Sequence, residues 1–329
     1  MRIIGLEEHF VIEEVLDAWR ALDAQWQDLS LRPSTQGEPA RRLADLEGER
    51  FAAMDDSGVD VQVLSLSTPG VQNLERADAV ALQEVSNDRV AEVVRAHPDR
   101  YQGLATLATP DPDAAADELR RAVTSLGLNG AMLFGRTRGK NLDDPAFWPI
   151  LEAAQALNAP LYLHPQSPPP AVRSAYYGGL GDAMDASLAT HGIGWHYETG
   201  VQLLRLILGG VLDRFPDLQI IAGHWGEVVL FYLERLETIP AAAKLERRLA
   251  DYFRENVYLT PSGMFTQRYL RWATEIVSPE RVLFATDYPF ELAPDGGARR
   301  FLLEADLDQP TREGIASANW ERLCAGIRR

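Results

Sequence analysis

The strongest constraint in this 329-residue sequence is a repeated alternation of short, β-rich apolar runs with longer amphipathic stretches. The runs are Arg2–Leu6, Val61–Ser65, Gly103–Leu107, Gly130–Phe134, Pro160–Leu163, Gln219–Ala222, Val257–Thr260 and Val282–Ala285. Helical spacing fills the gaps, at Ala40–Ser57, Asp78–Ala96, Asp113–Ser125, Trp148–Leu157, Glu198–Arg214 and Gly226–Glu237. Strands joined by crossover helices are parallel, and eight of them close a (β/α)8, TIM-type barrel. The competing α/β arrangement, a doubly wound open sheet, carries a glycine-rich phosphate turn after its first strand. Here that strand runs into Glu7-Glu8-His9 instead. Two insertions interrupt the pattern. Gly135–Phe147 is polar and follows the fourth strand; Pro165–His196 follows the fifth and carries Pro168-Pro169-Pro170 and Gly178-Gly179. A loop as long as the second is usually a lid or a subunit contact. The C-terminal end reads as closing helices. No repeat, low-complexity tract or linker divides the chain, so residues 1–329 read as one domain.

Composition narrows the function classes. With 46% hydrophobic and 24% charged residues the chain has the make-up of a soluble globular protein. Thirty-two basic against 48 acidic residues give a net charge of −16, which argues against a nucleic-acid partner, since phosphate binding needs clustered Lys and Arg. Cys324 is the only cysteine, so no intrachain disulfide forms and a reducing compartment is expected. No apolar run reaches the roughly 18–20 residues of a membrane span, and the N-terminal apolar stretch is too short for a signal peptide. The expectation is a cytoplasmic protein with no membrane partner.

Chemistry-bearing residues collect at the carboxyl ends of the strands. Glu7 and His9 follow the first, and i, i+2 spacing turns both to one side with Glu8 facing away. His164 ends the fifth strand, His224 the sixth, in Gly223-His224-Trp225-Gly226-Glu227, and Asp287 the eighth, in Thr286-Asp287-Tyr288-Pro289. In a barrel that rim is where active sites form. A lone strand-end histidine is more often a hydrogen-bonded structural residue, Glu-x-His alone is a weak signal, and an Asp before Tyr-Pro serves equally as a turn residue. Together, imidazoles and carboxylates meeting at one rim suit a single first-row divalent cation, and burying them without one is costly. Glu7 and Asp287 supply the −2 that offsets a 2+ ion. His97 reads as a surface helix end. His191 and His196, late in the second insertion, reach the site or serve structure. Phe290 and Trp225 wall an aromatic pocket or simply pack. Arg50 either meets a substrate oxygen or lies on a helix surface, the second being the stronger reading.

These residues resemble the amidohydrolase superfamily and, within it, the non-oxidative aromatic acid decarboxylases that act on γ-resorcylate, 2,3-dihydroxybenzoate and 5-carboxyvanillate, related to aminocarboxymuconate-semialdehyde decarboxylase. The resemblance runs through Leu6-Glu7-Glu8-His9-Phe10, Asp60–Ser67, Trp195-His196-Tyr197-Glu198-Thr199-Gly200, Gly223–Glu227 and Thr286–Glu291. It implies that Glu7, His9, His164 and Asp287 hold one zinc or manganese ion, that His224 is the catalytic histidine, and that Glu227 orients it. It further implies a hydroxylated aromatic carboxylate as substrate, chelating the metal through carboxylate and ortho hydroxyl, a homodimer or homotetramer, and Asp287 as the donor that protonates the ring carbon. A carboxyl group donates only when neutral, a form that an adjacent substrate anion favours. The wider superfamily often bridges two metals with a lysine after the fourth strand. Gly130–Phe134 carries none, and Lys140 and Lys244 are the only lysines, so a lysine-bridged pair of metals is not expected. The alternative on the same scaffold is a metal-dependent hydrolase or hydratase, such as a lactonase, in which the ion would activate water. A binding or scaffold protein with a vestigial site would show substitutions among the ligands, and none is present.

Overall fold

The computed structural model describes residues 1–239 and 244–329. Seven strands run in order: β1 (Ile4–Phe10), β2 (Val61–Leu66), β3 (Tyr101–Gly103, resumed at Ala105–Thr106), β4 (Ala131–Phe134), β5 (Leu161–His164), β6 (Ile220–Ala222) and β7 (Val257–Leu259). Each pairs in parallel with its sequence neighbour. An eighth extended segment, 282–288, closes the ring. On one side Leu283 N donates to Leu259 O at 2.8 Å; on the other Leu6 N reaches Phe284 O at 3.0 Å and His9 N reaches Tyr288 O at 2.7 Å. The eight-stranded barrel is therefore complete. Each stave is followed by at least one helix, the main ones being α1 (Gly48–Ser57), α2 (Arg76–Ala96), α3 (Pro112–Thr124), α4 (Trp148–Leu157), α5 (Gly194–Leu208), α6 (Leu249–Glu255), α7 (Gln267–Ile276) and α8 (Gly297–Leu303). A further helix, α9 (Asn319–Ala325), brings Trp320 and Leu323 into the barrel interior at the N-terminal end of the staves.

Period-2 alternation decides what the interior holds. Val61 and Val63, Met132 and Phe134, Leu283 and Ala285 form one buried interior cluster with Ile4, Leu6 and Tyr162. Two residues beyond Val63, Tyr162 and Ala285 come Ser65, His164 and Asp287. On β1 the parity would give Glu8 instead of Glu7 and His9. A register shift against β2 between Gly5 and Glu8 corrects this: one extra residue switches the facing side. Gly5 makes the shift possible, because a Cβ there would collide with the Glu8 carboxylate.

Three helices expected to be continuous are broken, and each break has a local cause. Ala40–Ser57 splits into Gly37–Ala44 and α1, with Asp45 accepting from Glu47 N and Arg50 N between them. Glu198–Arg214 divides at Gly209-Gly210, where Gly210 has φ +74°. Gly226–Glu237 is a series of single turns, because residues 224–228 all have positive φ. The first strand continues four residues beyond Leu6, so Glu7 and His9 lie within it. The Pro165–His196 insertion contains its own short helices, including Asp182–Ser187, and folds over the C-terminal rim. Lys140 is exposed, in a small hairpin with Arg136–Thr137. No helix among the described residues is long and apolar enough to cross a membrane.

Candidate metal centre and active site

Glu7, His9, His164 and Asp287 come together at the C-terminal rim, each offering one donor atom within 4.8 Å of the others. Glu7 Oε1 lies 2.9 Å from His164 Nε2 and 3.9 Å from His9 Nε2, and His9 Nε2 lies 3.3 Å from Asp287 Oδ1. Outer contacts aim these atoms inward. His164 Nδ1 donates to Pro165 O at 2.9 Å, so the tautomer so selected presents the Nε2 lone pair to Glu7. His9 Nδ1 lies 3.3 Å from Ser65 Oγ. Glu7 Oε2 accepts from Tyr162 OH at 2.5 Å and from Ser262 Oγ. Glu7 Oε1 and His9 Nε2, both fully buried, are left with no hydrogen-bond partner. Buried imidazole nitrogens and carboxylate oxygens converging this closely are what a cation satisfies. Around a zinc-sized ion with bonds of about 2.1 Å, donors lie no more than roughly 4.2 Å apart across the centre, close to the spread found here. Two imidazoles and two carboxylates fit one divalent ion of the first transition row.

Beside this cluster, Glu227 is wholly buried and holds two histidines, one on each oxygen. His224 Nδ1 donates to Oε1 and His196 Nδ1 donates to Oε2, both at 2.8 Å. Burial would raise the Glu227 pKa, but the charges and hydrogen bonds of the two imidazoles hold it below the usual carboxylate range. Burial likewise works against the His224 cation, yet Glu227, Glu7 and Asp287 outweigh it and set its pKa well above that of an ordinary histidine. His224 Nε2 faces Asp287 Oδ2 at 3.8 Å. Asp287 thus turns one oxygen to His9 and the other to His224.

A cavity of about 850 Å³ opens over these groups, within the usual range for small-molecule sites. It is lined by His164, His224 and Asp287, by Phe290, Met264 and Tyr269, and by Thr190, Ile193 and Trp195 of the insertion and α5. Phe290 stands 5.9 Å from the His9 ring. His191 and His196 both line the cavity. Trp225 does not: it is buried behind the site, with Nε1 donating to Met264 O at 2.9 Å and its ring near Phe301. The left-handed turn at 224–228 sends its side chain away from that of His224. His97 is the expected helix end, with Nε2 3.3 Å from Glu47.

Arg50 corrects both readings made for it. It is fully buried, donating to His9 O and to Gln62 Oε1, with its guanidinium 4.6 Å over the Tyr288 ring. It therefore braces the two strands that carry His9 and Asp287. Glu8 joins this brace: it accepts from Gln62 Nε2, Thr286 N and Thr286 Oγ1, and burial pushes its pKa up to about 8. The residue pattern alone does not single out Tyr162 or Ser262, and it places Glu8 facing away without a role. Tyr162 lies two residues before His164, so strand alternation already turned it to the same side.

A family model described as amidohydrolase matches residues 14–323. The chain belongs to the amidohydrolase family. Among curated relatives, the γ-resorcylate decarboxylase of Polaromonas sp. strain JS666 is 36% identical over 307 residues, 88% of each chain. Among solved structures, the 5-carboxyvanillate decarboxylase of Sphingomonas paucimobilis superposes with a TM-score of 0.89 at 35% identity, covering 98% of this chain and 99% of that one. The dihydroxybenzoic acid decarboxylase of Polaromonas sp. JS666, solved with manganese and the inhibitor 2-nitroresorcinol, superposes with a TM-score of 0.85 at 33% identity, covering 98% and 97%. This amidohydrolase therefore falls in the branch of non-oxidative aromatic acid decarboxylases.

Proposed function

We propose that the chain is a metal-dependent carboxy-lyase that removes CO2 from a hydroxylated benzoate. The observation that carries the reading is the pair of buried, unpartnered donors, Glu7 Oε1 and His9 Nε2, beneath an aromatic-walled cavity. Glu7, His9, His164 and Asp287 would hold one divalent ion, Zn2+ or Mn2+. When bound, the ion offsets the substrate's negative charge and fixes the ring in place. It also reconciles an anionic substrate with a chain of net charge −16, because net charge sets long-range steering and not the field inside one pocket.

The remaining work falls to the chain. Phe290 and its neighbours seat the ring and exclude water. Asp287 delivers a proton to the ring carbon that bears the carboxylate; the carbon–carboxylate bond then breaks, its electron pair restores aromaticity, and CO2 leaves. His224, held by Glu227, stands next to Asp287 Oδ2 and passes it a fresh proton taken up from solvent, because the one delivered stays on the ring carbon of the product. General acid–base help of this kind contributes about 10²–10⁴ in rate. Asp287→Asn tests the assignment with metal content measured in parallel: kcat is expected to fall at least about 100-fold in protein that still binds metal. Metal-loaded D287N with near-normal turnover would refute the donor role.

On this reading the active unit is a homodimer or homotetramer that works in the cytoplasm.

A further inference from the structure

We propose that His196 is a positioning residue for the reaction, acting through Glu227 on His224 and tying the second insertion to the catalytic histidine. The proposal rests on the reading of His224 and Glu227 given above.

The Glu227 carboxylate has two oxygens and two imidazoles, one per oxygen, at equal 2.8 Å separations. The two rings lie 4.5 Å apart, centroid to centroid. With His224 alone, the carboxylate would be free to rotate about its last torsion, which is broad for a glutamate. His196 fixes the second oxygen and so fixes the plane in which His224 is held. His196 is itself held at both ends, because Nε2 lies 3.3 Å from the backbone carbonyl of His191, a residue of the insertion that lines the cavity.

The backbone supports the same coupling. His196 and Gly200 lie one turn apart on α5, hence on one face. At Gly200 the helix approaches the Glu227 carbonyl so closely that a Cβ would collide with it. The turn it meets has positive φ at every residue from His224 to Val228, a conformation that costs energy at each non-glycine position and persists only where surroundings enforce it. The face of α5 carrying His196 and Gly200 supplies that enforcement.

Two substitutions separate positioning from packing. His196→Phe keeps ring volume and removes the donor; His196→Asn restores an N–H donor at the position of Nδ1. H196F is expected to lower kcat about 10- to 100-fold with KM changed less than about twofold and metal content intact, and H196N to recover most of the loss. In a Glu227→Gln background, H196F should change kcat by less than about twofold, since residues acting through one partner are non-additive. Equal losses in H196F and H196N, a loss confined to KM, or full additivity with E227Q would overturn the proposal. An activity-independent reading uses the hydrogen-bonded imidazole N–H proton resonances. H196F should remove one and shift that of His224. If the His224 resonance does not move, the proposal fails, whether or not the protein decarboxylates a hydroxybenzoate.

Discussion

At the residue scale, the centre depends on groups that are not themselves ligands. Tyr162 donates to Glu7 Oε2 from full burial, and burial together with the Glu7 charge holds its own pKa well above the ordinary phenol value, so it remains a donor. Tyr162→Phe is expected to weaken metal affinity about 10- to 100-fold, the usual effect of losing an outer partner of a ligand, as read by metal titration. Cys324 gives a prediction outside the site. Burial pushes its thiol up to about 12, with Arg329 pulling weakly the other way. Since only the thiolate reacts, alkylation at pH 8 should be slower in the folded protein than in the unfolded chain by about 100-fold or more, measured by mass shift. The four candidate ligands were legible in sequence because each is a polar residue at or just past the end of an apolar run, although Glu7 and His9 turn out to lie within β1. Their supports were not. Tyr162 reads as one more large core residue, and Arg50 reads as surface until the fold brings His9 O and Tyr288 to it.

At the element scale, strands were easier to read than helices. A strand of a parallel barrel is buried on both faces and appears as an apolar run, and all eight were found from such runs. The helix boundaries failed where one residue overrides amphipathic spacing: Gly210 within 198–214, Asp45 within 40–57, and the left-handed turn within 226–237. The β1 bulge was invisible, because alternation alone cannot place Leu6, Glu7 and His9 all inward. The packing of α5 on the 224–228 turn predicts that Gly200→Ala costs about 1–3 kcal/mol, the range for overpacking, read as a lowered denaturation midpoint at unchanged slope. It should also reduce kcat, since the displaced turn carries both His224 and Glu227.

At the scale of the whole molecule, we propose that the barrel unfolds as one unit, in keeping with a ring closed by the 282–288 segment between β7 and β1. The C-terminal α9 contributes Trp320, whose Nε1 donates to Gln102 at 2.8 Å, so the chain's last elements close on its first half. One calorimetric transition is expected, and removal of metal by a chelator should lower its midpoint. An ion present at 100 times its dissociation constant stabilises the fold by about 2.7 kcal/mol. The central claim is decarboxylation by ring protonation, and its most direct test is turnover of a panel of ortho-hydroxybenzoates by the metal-loaded protein in D2O. The account predicts equimolar CO2 and phenolic product, with deuterium at the ring carbon that had borne the carboxylate. No CO2 from any member of the panel, together with hydrolysis of a lactone or ester by the same preparation, would contradict it.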